Sequence, residues 1–318
     1  MTLGMPAELC HAPAHCRKTP MTTIRTLKLI ANPVAGRNAR AQIEQAVSWF
    51  RKRGVTVNLT LTGARGDAHR AAAEARAGDF ERIVAAGGDG TLNEVINGLV
   101  PSPIPLAFLP LGTTNVFALE AGIPFELEKA CRIALEGEPL PVCLGAADDH
   151  RFLLMASAGP DAEAVYAVSG GLKRLTGKFA YLASAAQVLL ARAPRPIVVT
   201  TDEGETIPCY GAVVSNGRLY GGRFTIAPAA SLQEEALDVC LLLRPGRLPL
   251  LRAAGALARG LPLAPPVART FKTRQLHLQG EAVPVQIDGD YFGRLPLTLR
   301  AVSGELRMVL PVPEGTRL

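Results

Sequence analysis

Hydrophobic and polar positions in the first half of the chain follow two alternating spacings. Short, continuous apolar runs at residues 27–31, 83–86 and 106–109 are typical of strands buried on both faces, and residues 55–61 alternate as a half-buried strand does. Between these strands, apolar residues recur every three or four positions, which predicts helices. The predicted helices cover residues 39–50, 67–77, 92–99 and 116–121. This order of strand and helix predicts an open, mostly parallel sheet with helices on its faces.

The pattern changes in the second half of the chain. Residues 172–192 have the apolar spacing of one long helix, but most of the remaining sequence is strand-like. The predicted strands cover residues 152–158, 196–201, 209–216, 223–227, 237–243, 283–288, 295–300 and 305–310. Turn pairs such as Asn216-Gly217 and Asp288-Gly289 separate several of these segments. We therefore expect a C-terminal domain that is an antiparallel, β-rich sandwich.

These patterns divide the chain into three parts. We expect residues 1–21 to be a disordered extension, because the regular pattern begins after Met21. Residues 22–142 are predicted to form the α/β domain, and residues 143–318 the β-rich domain, with the last residues packing back on the first domain. Binding sites often lie where two domains meet, so we expect the functional site in the cleft between them.

Composition and charge exclude several functions. The 318 residues are 48% hydrophobic, which excludes a disordered chain. The net charge of +6 comes from 34 basic and 28 acidic residues spread along the chain, so we expect no nucleic-acid partner. The longest stretch without a charge, residues 95–119, is interrupted by prolines and cannot be a membrane-spanning helix. Six cysteines without a Cys-x-x-Cys pair indicate reduced thiols and a cytoplasmic protein.

The most informative motif is Gly87-Gly88-Asp89-Gly90-Thr91, which follows a predicted strand and begins a predicted helix. Glycines let backbone N–H groups approach a ligand closely, and the positive end of the helix dipole favours a phosphate. Thr91 and Glu94 have the spacing of a capping box, which marks the helix start. Because Asp89 would repel a bare phosphate, we expect it to face a metal ion or a ribose hydroxyl. The alternative is an ordinary glycine-rich turn, since the motif is neither a Walker loop nor the dinucleotide fingerprint.

Two further loops follow predicted strands of the same sheet. Residues 32–37 come after the first strand, and residues 111–115 come after the fourth. Ligands of such sheets bind beyond the carboxyl ends of the strands, where these loops meet the glycine-rich one. Arg37 can pair with a phosphate. Three loops of small residues at one edge favour a nucleotide site over three unrelated turns.

The loops and several later motifs resemble the diacylglycerol kinase catalytic-domain family, which includes bacterial lipid kinases and sphingosine kinases. In the first half these motifs are Asn32-Pro33 with Gly36, and residues 87–98 and 110–115. In the second half they are residues 159–162, 177–181, 216–222, 227–230 and 288–290. The resemblance covers nearly the whole chain after Met21. It implies an ATP-dependent lipid kinase whose nucleotide domain is related to NAD kinases and phosphofructokinases.

The resemblance also implies the roles of particular residues. Asp290 falls where the family places its proton acceptor, usually a glutamate, and Asp89 lies near magnesium or the phosphates. A structural magnesium ion is implied beside Glu234, with the carbonyl groups of Ser231 and Ala236. The residues implied to bind ATP are Asn32, Pro33, Val34, Ala35, Gly36, Arg37, Thr62, Gly87, Gly88, Asp89, Gly90, Thr91, Leu92, Asn93 and Thr113.

The chain departs from the family pattern at three places. Val116 stands where many bacterial members have an aspartate, the magnesium segment lacks its Asp-Gly pair, and the catalytic glutamate is Asp290. A catalytically weak regulator that binds nucleotide or lipid is therefore one alternative. A soluble small-molecule kinase on the same fold is another, although the C-terminal motifs favour the lipid branch.

A lipid kinase needs a lipid substrate and a peripheral contact with a membrane, and we expect both as partners, with a homodimer as a further option. Residues 244–274 are predicted to face the membrane, because no acidic residue occurs between Asp238 and Glu281. At helical spacing, Leu250, Ala254, Leu257 and Leu261 share one face, and Arg252 and Arg259 lie together on another. The alternative is a core-packed helix whose basic face is solvated.

Overall fold

The computed structural model describes residues 24–169, 194–261, 263 and 265–311. The predicted extension, the helical pattern at residues 172–192 and the motif at residues 177–181 lie outside the described residues. In the described ranges the helices are α1 (Ala39–Arg51), α2 (Asp67–Arg76), α3 (Asp89–Leu99), α4 (Val116–Glu120), α5 (Leu127–Glu136), α6 (Pro160–Ser169) and α7 (Arg247–Ala258). None of the helices in these ranges is both long and apolar enough to cross a membrane.

The strands of the described ranges form two main sheets and one small hairpin. In the first half they are β1 (Thr26–Ala31), β2 (Thr56–Leu61), β3 (Arg82–Gly87), β4 (Leu106–Pro110), β5 (Glu138–Ala147), β6 (His150–Phe152) and β7 (Met155–Ala158). In the second half they are β8 (Ile197–Thr201), β9 (Thr206–Cys209), β10 (Ala212–Ser215), β11 (Leu219–Tyr220), β12 (Phe224–Thr225), β13 (Leu237–Leu242), β14 (Ala268–Thr273), β15 (Gln275–Gln279), β16 (Pro284–Ile287), β17 (Asp290–Arg294) and β18 (Leu297–Leu310).

Sheet 1 begins with the predicted parallel strands in the order β2-β1-β3-β4. β3 is buried along its whole length and β1 nearly so, because helices cover both faces of a parallel sheet. The sheet continues through β18 to the antiparallel strands β15, β8 and β9. β18 pairs parallel with β4 and antiparallel with β5 and β15, so the last strand joins the two halves of the chain.

Sheet 2 is antiparallel, in the order β14-β13-β10-β7-β16-β17. Its inner face packs on the antiparallel part of sheet 1, and this contact forms a second apolar core beside the core of the α/β part. Residues of sheet 2 such as Val214, Val239 and Val285 meet Val199 and Leu278 of sheet 1 there. The fold class is therefore the predicted one, a mostly parallel α/β sheet followed by an antiparallel β sandwich.

Several elements differ from the sequence-based expectation. The strand predicted over residues 152–158 is divided into β6 and β7, and the two predicted over residues 295–300 and 305–310 are the single strand β18. A register shift between Val302 and Leu306 breaks the alternation within β18, which made one strand look like two. The strand β5 was not predicted because Pro139 and Pro141 interrupt its pattern, and prolines are uncommon in strand interiors.

Candidate functional site

The carboxyl ends of four parallel strands meet at one edge of sheet 1. Because β1, β2, β3 and β4 run in the same direction, the loops that follow them surround one open cleft with a cavity volume of about 600 Å³. The residues that line it are Asn32, Val34, Ala35, Thr62, Gly63, Ala64, Arg65, Ala68, Gly88, Asp89, Gly90, Thr91, Glu94, Gly112, Thr113, Thr114 and Asn115. The cleft lies at the position where doubly wound sheets bind nucleotides, since β1 is the strand at which their order reverses.

The glycine-rich loop brings the start of α3 directly to the cleft. α3 begins at Asp89, with Gly88 in the N-cap position and no side chain capping its first N–H groups. The predicted capping box is therefore wrong, because Thr91 lies inside the helix. Its hydroxyl instead accepts a hydrogen bond from Asn32 Nδ2 at 3.3 Å, which ties the first loop to this one. The uncapped N–H groups are left for an anionic ligand.

The loop at residues 111–115, which we call the third loop, lies against the glycine-rich loop. A Cβ atom on Gly112 would come within 2.7 Å of the Gly88 Cα atom, so only glycine allows the two loops to approach this closely. Asn115 closes its own loop, because its Nδ2 donates to the Gly112 carbonyl at 2.7 Å and its Oδ1 accepts from the Gly112 N–H at 3.1 Å. The loops therefore hold a fixed shape before any ligand arrives.

Asp89 fastens the glycine-rich loop to α4. Its two carboxylate oxygens accept the N–H groups of Val116 at 2.9 Å and Phe117 at 3.1 Å. Burial raises the pKa of Asp89, and these two hydrogen bonds oppose that shift. Asp89 also lines the cleft, as predicted, but its hydrogen bonds to α4 could not be anticipated from the motif alone. Val116 contributes to this contact through its backbone, so an acidic side chain at that position is not needed for it.

Asp288 is a half-buried aspartate that holds the turn after β16 in place. Its carboxylate accepts the N–H groups of Leu153, Leu154 and Met155 at 2.9–3.0 Å, and the Asn93 Nδ2 of α3 at 3.0 Å. Burial raises the pKa of Asp288, while the four donors lower it. With both oxygens engaged, Asp288 is poorly placed to accept a proton from a substrate.

Asp290 lies at the end of the same turn, and among the described residues no side chain or backbone group donates a hydrogen bond to its carboxylate. Its side chain is exposed, and its Oδ2 atom lies 3.9 Å from the position that a Cβ atom on Gly90 would take. The turn therefore carries Asp290 across from the β-rich half to the amino end of α3. This places a carboxylate of the second half beside the glycine-rich loop.

A second polar network supports the turn from behind. The buried Gln286 accepts the Gly289 N–H at 2.8 Å and donates through Nε2 to Ser157 Oγ at 2.9 Å and to an Asp161 oxygen at 3.1 Å. Asp161 also accepts hydrogen bonds from the hydroxyls of Ser157 and Tyr220. Two networks, centred on Asp288 and Gln286, therefore fix the turn on which Asp290 lies.

The structure brings most of the predicted nucleotide residues to the cleft and leaves others outside it. Leu92 is in the apolar core, Asn93 binds Asp288, and Gly36 allows the first loop to approach the Leu111 carbonyl. Arg37 is exposed and does not line the cleft. The predicted residues in the lining are Asn32, Val34, Ala35, Thr62, Gly88, Asp89, Gly90, Thr91 and Thr113, and those outside it are Pro33, Gly36, Arg37, Gly87, Leu92 and Asn93.

Two charged residues of the cleft were missed by sequence reasoning. Arg65 lies on the loop after β2, and Glu94 lies one turn into α3. The sequence feature that could have identified Arg65 is its position between Gly63 and Gly66, in the loop between a predicted strand and a predicted helix. Arg65 therefore replaces Arg37 as the cation best placed to meet a phosphate.

At the segment predicted to bind a structural magnesium ion, residues 231–236, the side chain of Lys272 occupies the position next to the Glu234 carboxylate. Lys272 Nζ donates to the Glu234 carboxylate and to the Ala229 carbonyl at 3.2 Å, and it lies 3.7 Å from an Asp238 oxygen. The Ser231 carbonyl accepts the Glu234 N–H at 3.0 Å, while Ala236 donates its N–H to the Glu234 carbonyl. Because an ammonium group already neutralises Glu234, this donor set does not fit a divalent ion.

The cleft itself has donors that fit a magnesium ion brought by a nucleotide. Magnesium usually binds one or two carboxylates together with phosphate oxygens and water. Asp89 and Glu94 supply such carboxylates in the cleft wall. Within the described ranges, no three His, Cys, Asp or Glu side chains form a metal cluster by themselves. The cleft therefore suits a metal that is shared with phosphates.

Comparisons with known proteins agree with this fold. Residues 26–147 match the family model of the diacylglycerol kinase catalytic domain, and residues 155–310 match that of the YegS C-terminal NAD kinase beta sandwich-like domain. A diacylglycerol kinase of Bacillus subtilis is 30% identical over 93% of this chain and 99% of its own length.

Solved structures show the same fold. A diacylglycerol kinase structure from Bacillus anthracis matches with a TM-score of 0.71 at 21% identity, covering 91% of this chain and 98% of its own. A yeast NADH kinase matches with a TM-score of 0.52 at 9% identity, covering 92% of this chain and 85% of its own, so the fold is NAD kinase-like. The chain belongs to the diacylglycerol kinase catalytic-domain family of lipid kinases, with a C-terminal domain of the YegS type.

Proposed function

We propose that this protein is an ATP-dependent lipid kinase that transfers the γ-phosphate of ATP to a hydroxyl group of a diacylglycerol-like or sphingoid lipid. The observation that carries the proposal is the position of Asp290. This carboxylate lies beside Gly90, at the uncapped amino end of α3. The proposed proton acceptor therefore lies next to the loop that is proposed to bind the phosphates of ATP.

The nucleotide is proposed to lie in the cleft with its phosphates towards α3. The free N–H groups of the helix start favour negative charge, and Arg65 adds a positive side chain. Asp89 and Glu94 are the residues that would hold magnesium. When bound, the ion would neutralise charge that develops on the transferred phosphoryl group. Asp89 contributes a second effect, because it holds the third loop against the glycine-rich loop.

The proposed role of Asp290 is to orient the lipid hydroxyl and to receive its proton. A carboxylate is too weak a base to ionise an alcohol at the outset, but phosphoryl transfer passes through a loose transition state. The proton therefore moves late, after the bond to phosphorus has begun to form. The networks of Asp288 and Gln286 keep Asp290 at the required place while the lipid enters.

Two other functions are distinguished by their products. A nucleotide-binding regulator is favoured by the engagement of Asp89 with α4, which leaves fewer acidic groups for metal than in relatives with an aspartate at position 116. A soluble small-molecule kinase would use the same cleft for ATP. The lipid kinase is the better proposal because the family match extends through the β-rich half of the chain.

The test is phosphorylation of a total lipid extract with ATP and magnesium, followed by mass spectrometry of the products. We expect one class of phosphorylated lipid from the parent protein, and its formation should be about 10²-fold slower or more with Asp290→Asn. Asp79→Asn is the matched control, because Asp79 is exposed and lies outside the cleft. ATP binding without any phosphorylated lipid would support the regulator, and phosphorylation restricted to water-soluble compounds would support the small-molecule kinase.

A further inference from the structure

Helix α7 exposes apolar side chains that an ordinary surface helix would bury. Ala253 is its one buried residue among those whose side chains are described, while Leu248 is 59% exposed and Leu251 is 50% exposed. The face predicted from the sequence is divided, because Leu250 and Leu257 are half-buried but Ala254 and Leu261 are exposed. Within α7, the two leucines that face outwards are therefore not among the residues that were predicted to share one face.

Arginines surround the exposed leucines. Arg247, Arg252 and Arg259 are exposed, and helical spacing places them on the same outward side as Leu248 and Leu251. No ion pair within the described residues involves these three arginines, whereas Arg269 binds Glu205 and Lys272 binds Glu234. The sequence also has no acidic residue from position 239 to position 280. The outward face of α7 is thus both apolar and positively charged.

The β11–β12 hairpin lies beside this helix and leads back to the proposed reaction site. α7 contacts β12, where Phe224 is 40% exposed and follows the exposed Arg223. At the other strand of the hairpin, the Tyr220 hydroxyl donates to Asp161. Asp161 accepts from Gln286, which holds the turn of Asp290. The hairpin therefore connects α7 with the hydrogen-bond network of Asp161 and Gln286, which holds the turn of Asp290 in place.

We propose that α7 and the β11–β12 hairpin form a docking surface for an anionic lipid bilayer. Leu248, Leu251 and Phe224 would enter the boundary between headgroups and acyl chains, and the arginines of α7 would bind lipid phosphates. The choice of occupant follows from charge, since an apolar face ringed by arginines that pair with no acidic side chain among the described residues complements an anionic bilayer. The proposal rests on the proposed function insofar as the acceptor is a membrane lipid.

Vesicle binding tests the surface without any reference to catalysis. The full-length protein is sedimented with vesicles of phosphatidylcholine containing about one-third phosphatidylglycerol, and with pure phosphatidylcholine. We expect binding to the anionic vesicles, weakened at least about 25-fold in the double variant Arg252→Glu/Arg259→Glu. The loss of each arginine removes about a factor of five, and each added glutamate is repelled by the surface. Leu248→Ser/Leu251→Ser tests the apolar part separately and should also weaken binding.

A matched control carries the same change of charge elsewhere. Arg40→Glu/Arg51→Glu alters two exposed arginines of α1, and it should bind vesicles as the parent does. Equal vesicle binding by the parent and both α7 variants would overturn the proposal. So would a dimer in sedimentation velocity that Leu248→Ser/Leu251→Ser converts to monomer, because α7 would then face a second copy of the chain.

Activity measurements separate this proposal from the proposed function. The α7 variants should lose turnover on vesicle-borne lipid but keep it on the same lipid dispersed in detergent micelles. If the parent binds anionic vesicles through α7 and phosphorylates no lipid, the docking surface stands and the kinase proposal fails. If lipid turnover is normal and the α7 charges leave vesicle binding unchanged, the reverse holds.

Discussion

Replacing Asp288 by asparagine should destabilise the protein by about 2–4 kcal/mol, although Asp288 lies outside the cleft lining. The change keeps the side-chain shape, and asparagine tolerates the left-handed backbone that Asp288 adopts, with φ of 46°. What is lost is one acceptor oxygen. Asp288 receives four N–H donors, and the amide NH₂ group of asparagine would face two of them as a third donor.

The magnitude follows from the donors that are left without a partner. Each buried, unsatisfied N–H group costs about 1–3 kcal/mol, so two such groups cost roughly 2–6 kcal/mol. The asparagine carries no charge, so the desolvation cost of the buried carboxylate disappears and offsets part of this loss. The expected net change in the free energy of unfolding is therefore in the lower half of that interval.

Asp148 offers a matched control. It is also an aspartate with positive φ, 50°, but its side chain is exposed. Asp148→Asn should change the free energy of unfolding by less than about 0.5 kcal/mol, the usual scale for a surface substitution. Urea unfolding of the parent and both variants gives the comparison directly.

Activity supplies a second measurement on the same variant. Because the Asp288 turn carries Asp290, Asp288→Asn should lower turnover of the lipid more than it weakens ATP binding. Equal stability of the parent and Asp288→Asn would refute the reasoning, since the four hydrogen bonds would then contribute nothing that water cannot replace.

Three further outcomes are expected. Asp290→Asn should lower turnover by about 10²-fold or more with ATP affinity retained, whereas Asp290→Glu should remain active. Rapid-quench kinetics measure both variants, and normal turnover by Asp290→Asn would mean that the proton acceptor lies elsewhere. Asp89→Asn should weaken ATP binding and lower turnover, because it disturbs the contact with the Val116 N–H. Titration calorimetry measures the ATP binding, and a loss of turnover with unchanged binding would contradict this role. Chelation by EDTA should leave the melting temperature of the parent unchanged, whereas the melting temperature of Lys272→Met should respond to added magnesium, because Glu234 is then free to bind it. A fall in the melting temperature of the parent on chelation would instead reveal a structural metal.

The sequence predicted the parallel sheet and the three loops because both depend on local pattern. Buried strands, amphipathic helices and glycine-rich turns are encoded by neighbouring residues, and the motif from Gly87 to Thr91 does lie at the cleft. The start of α3 was misplaced for the same reason. Thr91 and Glu94 satisfy the spacing of a capping box, but Asn32 engages the Thr91 hydroxyl from a distant loop.

The contacts of the acidic residues could not be predicted, since their partners are far apart in the chain. Asp89 meets α4, Asp288 meets both α3 and the residues before β7, and Lys272 meets Glu234 across 38 positions. A motif indicates that a carboxylate is present, but only the fold decides whether its oxygens are already occupied. This is why Asp288 and Asp290, two residues apart, have different surroundings.

The position of β18 has a consequence for biosynthesis. This strand lies between β4 and β15 and pairs along most of its length with β5, yet it is made after all of them. Until residues 297–310 leave the ribosome, the edge of β4 has no partner on that side, and an open strand edge invites pairing with other chains. Completion of sheet 1 therefore waits until translation of this strand has finished. A fragment that ends before β18 should aggregate rather than fold as an independent half.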